Sequence, residues 1–356
     1  MHILIVNVKK VLFSLCFLLF FAYIAWHMSG FLSEMIHFNM VSISNTSLTW
    51  SGFLNFKTIF LSIIIEAIPF ILIGVFVSAL LQNFVSEEQI KRFLPGSKYS
   101  KILLACLMGM IFPVCECGIV PVARRLVSKG VPLYSAVTFM LAAPIINPVV
   151  ASSTAVAFSA NLKMVCCRLG LAFVVAFTTG LLVSHFFDSG ELRGTMPYSS
   201  CDCGCSHSHK NLSHNLSGRL VNTLSNACDE FFEMGKYLIW GACLAAFVQT
   251  TLSRYVLLDI GQGLWSSIAA MMAFAFGISV CSSADAFIAA SFSSHFTAGS
   301  MLAFMVFGPM IDVKNFLLML KVFKLRFVVL LTVIVGLLVI YGAYIVNTVT
   351  AGVDPF

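Results

Sequence analysis

The chain has 356 residues, 59% of them apolar and only 10% charged, with a mean hydropathy of +0.97 and a formal net charge of +6. This composition excludes a soluble globular domain, because several apolar runs reach the roughly 20 residues a helix needs to cross the hydrocarbon core. The runs are continuous rather than alternating, which excludes barrel strands and predicts an all-α polytopic membrane protein. Its excess Lys and Arg then belong to membrane-flanking loops, not to a nucleic-acid surface.

In chain order, Lys9 and Lys10 precede "VLFSLCFLLFFAYIAW", and no small-x-small cleavage site follows it, so 11–30 is expected to be an uncleaved first span. Further spans are expected at 54–84, 132–158, 163–187, 228–252, 300–320 and 327–347. Two other apolar stretches are interrupted. The stretch 101–127 breaks at "FPVCECGIVPV", where Pro113, Gly118 and Pro121 argue against a continuous helix, and 264–293 breaks at "GISVCSSADAF". If both crossed fully, cations would divide weakly between the two faces. If both are re-entrant hairpins, Lys98, Lys101, Arg124, Arg125 and Lys129 fall on one side. Lys314, Lys321, Lys324 and Arg326 join them there, and the bias toward the cytoplasm is steeper. The hairpin arrangement is therefore the expectation.

The chain also repeats itself. "IEAIPFILIGVFVSALLQ" at 65–82 aligns with "FEMGKYLIWGACLAAFVQ" at 232–249, pairing Glu66 with Glu233 and Gly74 with Gly241. Nearly the same offset pairs Cys115 with Cys281, and "FMLAAPIIN" with "FMVFGPMID", placing Asn147 on Asp312. With an odd number of crossings between the halves, two inverted repeats are expected, with broken helices meeting near the midplane around a substrate site. The segments are then an N-terminal span and loop at 1–53, a first repeat at 54–187, a linker at 188–227, a second repeat at 228–347 and a tail at 348–356.

The broken tips carry the chemistry. "CEC" sets Cys115 and Cys117 around Glu116, and "CSSAD" supplies Cys281 and Asp285. Thiolates are soft ligands suited to copper, zinc and other thiophilic ions. A carboxylate at mid-bilayer costs about 2.5–3.5 kcal/mol on insertion scales, so Glu116 and Asp285 are expected to face a polar cavity or a cation. Glu66 joins them as a transport candidate, while Asn147 and Asp312 either line the path or cap helices. Cys16, Cys106, Cys166, Cys167, Cys228 and Cys243 read as packing residues.

Between the halves lies "YSSCDCGCSHSHKNLSH", where Cys201, Cys203, Cys205, His207, His209 and His214 supply thiols and imidazoles for zinc or copper. The hairpin arrangement places this linker in the cytosol, where thiols stay reduced, so metal capture explains it better than a disulfide. A cytosolic metal donor would be a partner of such a cluster.

The stretches "FPVCECGIVPVARRL" and "GVPLYSAVTFMLAAPIINPVV" resemble the bacterial predicted-permease family of YraQ-type and ArsP-type permeases. The "CDCGCSHSH" linker resembles a copper/zinc efflux branch of that family. The resemblance covers about 54–347, marks Cys115, Cys117 and the Pro144 to Pro148 segment, and implies outward export across the bacterial inner membrane. The reading is a secondary active carrier for a copper or zinc ion, with no cofactor beyond that cargo and no enzymatic activity. No GxxxxGK[ST] motif is present to bind ATP. Trivalent arsenic or an organoarsenical is the alternative cargo. From other classes, a metal sensor and a thiol–disulfide oxidoreductase remain, the latter without the usual Cys-x-x-Cys spacing.

Overall fold

Lipid offers the backbone no hydrogen-bond partners, and the regular structure is accordingly helical. The computed structural model describes residues 50–84, 96–111, 114–187, 216–251 and 263–350. The expected span at 11–30 and the Cys/His linker lie outside them. The described helices are α1 (Trp50–Phe84), α2 (Lys98–Ile111), α3 (Glu116–Ser128), α4 (Leu133–Ala142), α5 (Pro148–Ala157) and α6 (Leu162–Phe186). They continue as α7 (Leu216–Thr251), α8 (Leu264–Ile278), α9 (Asp285–Ser291), α10 (Ala298–Met310), α11 (Val313–Val322) and α12 (Leu325–Thr350). Among the described residues, five stretches are long and apolar enough to cross a membrane: Gly52–Leu80, Leu162–Phe186, Ala227–Thr251, Ala298–Val322 and Leu325–Val349. The protein is a multi-pass helical membrane protein. The element order repeats: a long helix, an interrupted pair, a second interrupted pair and a closing long helix, first as α1–α6 and again as α7–α12.

Contacts along α6 and α12 fix directions. The two run antiparallel, with Leu171 against Gly342 at one end and Phe187 edge-on to Phe327 at the other. Ile102 of α2 and Thr138 of α4 both meet α6 at Gly180, and Gly109 of α2 meets Ala142 and Ala143 at the far end of α4. Helices α2 and α4 therefore run the same way, and α3 must bring the chain back between them. In the second half, Phe274 of α8 stacks on Phe304 of α10, and Gly308 lies beside Ala275. Trp265 and Gly299, near the starts of α8 and α10, meet Tyr344 and Ala343 of α12. So α8 and α10 also run together, with α9 returning. The first hairpin is entered from the Phe187–Phe327 end and the second from the Leu171–Gly342 end.

Lys98, Lys101, Arg124, Arg125, Lys129, Lys321, Lys324 and Arg326 sit together at the limbs' Phe187–Phe327 end. Lys314 corrects the sequence expectation. It is 4% exposed, in the first turn of α11, inside the Ala298–Val322 span rather than in a loop.

Two further differences have local causes. The stretch expected as one span at 132–158 is two helices, α4 and α5, because Pro148 at N1 and Asn147 as N-cap begin a new helix, the Asn147 side chain accepting from the Val150 N–H at 2.8 Å. Asp312 does the same for α11, accepting from the Asn315 N–H at 2.6 Å, and splits the span expected at 300–320. Conversely, α3 continues through Pro121, and the first hairpin turns before Glu116.

Helix α1 packs along α7, and each long helix holds one short one through a glycine. A Cβ on Gly74 would lie 2.6 Å from the Gly118 Cα of α3, and one on Gly241 would lie 2.9 Å from the Lys314 Cα of α11. Such contacts are possible only where one helix presents a glycine, as at other membrane helix crossings. Gly74→Leu and Gly241→Leu are each expected to destabilise the protein by about 1–3 kcal/mol. Gly170→Ala and Gly235→Ala, where a Cβ meets nothing within 4 Å, should leave it unchanged. Thermal unfolding in detergent checks this, and a Gly74→Leu protein with an unaltered transition would show that the crossing is not what holds α3.

Candidate functional site

The N-terminus of α3 lies at the tip of the first hairpin, deep in the helical body. Its N-cap is Cys115, in extended conformation and with no side-chain cap, followed at once by Glu116 and Cys117. Glu116 is 1% exposed and Cys117 is buried against Ala67 and Ile71 of α1, with Cys115 packed beside them. Pro121 has no N–H to give the carbonyl of Cys117, so that oxygen lacks its ordinary helical donor.

A recess opens here. Ile63, Glu66, Ala67 and Phe70 from α1 form one wall, and Cys115, Glu116 and Cys117 from α3 another. Cys281 from the second interruption and Lys314 from α11 complete it. The structure thus brings together Glu66, Cys115, Glu116, Cys117 and Cys281, five of the eight expected transport residues. Cys281 comes from the opposite half, its thiol 3.5 Å from the Ser283 hydroxyl. Asp312 lies one step behind, its carboxylate 3.8 Å from the Lys314 ammonium, which is also 3.8 Å from Glu116. Asn147 caps α5, donating in addition to the Ala143 carbonyl at 3.0 Å. Three carboxylates and three thiols therefore share one ammonium, an electrostatic environment that favours a cation.

Asp285 has different company. Its two oxygens each lie 2.8 Å from Nη2 of Arg168 on α6, a residue 0% exposed. The same guanidinium donates to the Thr154 hydroxyl at 2.7 Å and to the carbonyls of Ser282 and Met305 at 2.9 and 3.1 Å. The Met305 carbonyl is available because Pro309, four residues on, has no N–H. This is a fixed junction of the two halves. Arg168 was absent from the sequence candidates, although a lone cation inside an apolar span is itself a signal of a buried partner.

A second set of ion pairs joins the halves at the Phe187–Phe327 end. Glu230 of α7 accepts from Arg125 at 3.2 Å and from the Ser78 hydroxyl of α1 at 3.1 Å. Glu233 pairs with Lys321 of α11 and lies 4.0 Å from Arg124. Glu233, the repeat partner of Glu66, is thus structural in position while Glu66 faces the recess.

Among the described residues, no three His, Cys, Asp or Glu side chains stand close enough together to hold a metal ion. The expected ligands Cys201, Cys203, Cys205, His207, His209 and His214 lie outside the described residues.

Residues 52–348 match the model of a family described as predicted permease. UPF0718 protein YcgR of Bacillus subtilis is 48% identical over 299 residues, covering 83% of this chain and 98% of that protein. A Streptococcus mutans protein, whose name describes a subunit of a two-component membrane permease complex, is 38% identical over 278 residues, covering 78% of this chain and 90% of its own length. No solved structure matches.

The junction at Arg168 makes a measurable demand. Arg168→Met leaves a buried carboxylate without its counter-charge and is expected to cost about 3–5 kcal/mol. Arg168→Met combined with Asp285→Asn removes both charges and should recover much of that loss. Unfolding of the purified variants measures both, and equal stability of the single variant and the native chain would remove the junction from the fold's essentials.

Proposed function

The chain belongs to the predicted-permease family, and we propose that within it the protein is a secondary active carrier exporting a thiophilic metal ion, copper or zinc, from the cytoplasm. The observation that carries this is the recess, where Cys115, Cys117 and Cys281 from opposite halves meet Glu66 and Glu116. Soft sulfur selects soft or borderline metals, and the carboxylates supply the charge that makes a cation welcome at that depth.

The opposed entry of the two hairpins suits an inverted-repeat carrier, in which one half rocks against the other around a central site. In this reading the Cys/His linker captures the ion on the cytoplasmic side and passes it to Cys115 and Cys117. The Arg168–Asp285 junction remains fixed while the recess changes faces. The proton gradient supplies the energy. Asp285, fully engaged with Arg168, is then a poor proton carrier, which leaves Glu66 and Glu116 as the groups at the recess.

One observation favours trivalent arsenic as a second cargo. Ile63, Ala67 and Phe70 form an apolar wall beside the thiols, which suits a soft element bearing an organic group.

Elemental mass spectrometry on cells challenged with copper, zinc or arsenite tests these readings. Cells carrying the native chain should hold several-fold less of one element than cells carrying Cys115→Ala/Cys117→Ala. A deletion of 198–214 should slow export at low metal and spare it at high metal. Unchanged content of all three elements would overturn the proposal.

A further inference from the structure

Lys314 stands where elementary electrostatics disfavours a cation. It is the second residue of α11, at the positive end of a helix dipole, and only 4% exposed. Its backbone is locked by the close approach of Gly241, so α7 fixes where the ammonium can reach. The cost of burying that charge is met by Glu116 and Asp312, each 3.8 Å away. At that distance neither makes a hydrogen bond to it, and Glu116 Oε2 and Asp312 Oδ2 have no hydrogen-bond partner.

A buried ion pair that serves only the fold gains most when every donor and acceptor is satisfied. The Arg168–Asp285 junction comes close to that pattern, with 2.8 Å hydrogen bonds between the charges and three further acceptors, although Arg168 Nε has no partner. The Lys314 group does not. Lys314 meets its carboxylates through charge alone, and although Asp312 Oδ1 caps α11, Glu116 Oε2 and Asp312 Oδ2 keep their capacity to bind something else. That is the arrangement expected of a counter-ion meant to be displaced.

We propose that Lys314 is a tethered resident cation that competes with the cargo for Glu116. Resting on the metal-cation reading above, the inference adds the residue that sets affinity and release. In the empty carrier the ammonium offsets part of the negative charge of Glu116 and Asp312, so the site changes faces with less uncompensated charge. When the metal ion draws Cys115, Cys117 and Glu116 in from the positions they hold in the empty recess, the ammonium retreats to Asp312. Its return to Glu116 helps expel the ion on the far side. No bond to Lys314 forms or breaks, and its proton stays in place.

This assigns opposite effects to binding and turnover. Full-length protein in liposomes would be titrated with Cu(I) and with Zn(II) against chromophoric chelators, and metal release from loaded vesicles followed by stopped flow. Lys314→Met should bind the transported metal about tenfold more tightly and release it about tenfold more slowly, whereas Lys314→Arg should stay close to the native chain in both. Lys314→Met/Asp312→Asn removes one charge of each sign and keeps an oxygen to cap α11, so it provides a folded variant with the same expected tightening. Weaker or unchanged affinity in these variants, with normal binding by the native chain, would overturn the role of Lys314 and leave the metal reading intact. Failure of the native chain to bind either metal would overturn the metal reading and, with it, the competition.

Discussion

Two glycine contacts set the geometry on which everything at the recess depends. Gly74 lets α3 lie against α1 at Gly118, and Gly241 lets α11 lie against α7 at Lys314. Because α1 and α7 also pack along each other, the N-termini of two short helices from different halves meet at one depth. Lipid provides no hydrophobic drive for such crossings, so the close approach that a glycine permits supplies the attraction instead. A side chain at either glycine would push the thiols of α3 away from the ammonium of α11, and the site would have no centre.

Interrupting helices inside a membrane exposes backbone groups that need new partners, and the chain meets that need in two ways. At Asn147 and Asp312 a side-chain oxygen takes the first free N–H of the following helix. At Pro309 the missing donor leaves the Met305 carbonyl open, and Arg168 reaches across from α6 to fill it. Pro121 likewise withholds a donor from the Cys117 carbonyl within α3.

Much of this was legible in the sequence. The paired Glu66/Glu233, Gly74/Gly241 and Asn147/Asp312 positions fall on equivalent helices, and the hairpins follow from where Lys98 and Arg124 must lie. The misreadings have physical reasons. Lys314 looks like a loop cation because Lys321 and Lys324 follow closely, and only burial shows that its ten-residue helix belongs to the span. Asp285 looks like a cavity carboxylate because its partner is 117 residues away, a distance no local pattern encodes. Pro121 looks like a breaker, yet a proline in a helix removes one hydrogen bond without ending it when packing holds the turn.

The halves share a plan and differ in what they place on it, and the difference has a direction. The first hairpin's tip carries two thiols and a carboxylate with loose ionic partners, whereas the second tip's carboxylate, Asp285, is bound into the Arg168 junction. Likewise Glu66 of the first half faces the recess while its counterpart Glu233 is tied to Lys321 at the Phe187–Phe327 end. Buried charge that is fully hydrogen-bonded resists movement, and buried charge held only by attraction does not. The second hairpin's tip therefore serves as a joint, and the first hairpin's tip, with Lys314 beside it, is where ligands can exchange partners. A symmetric pair of equally satisfied halves would be more stable, but it would leave no group free to prefer the cargo over its own neighbour.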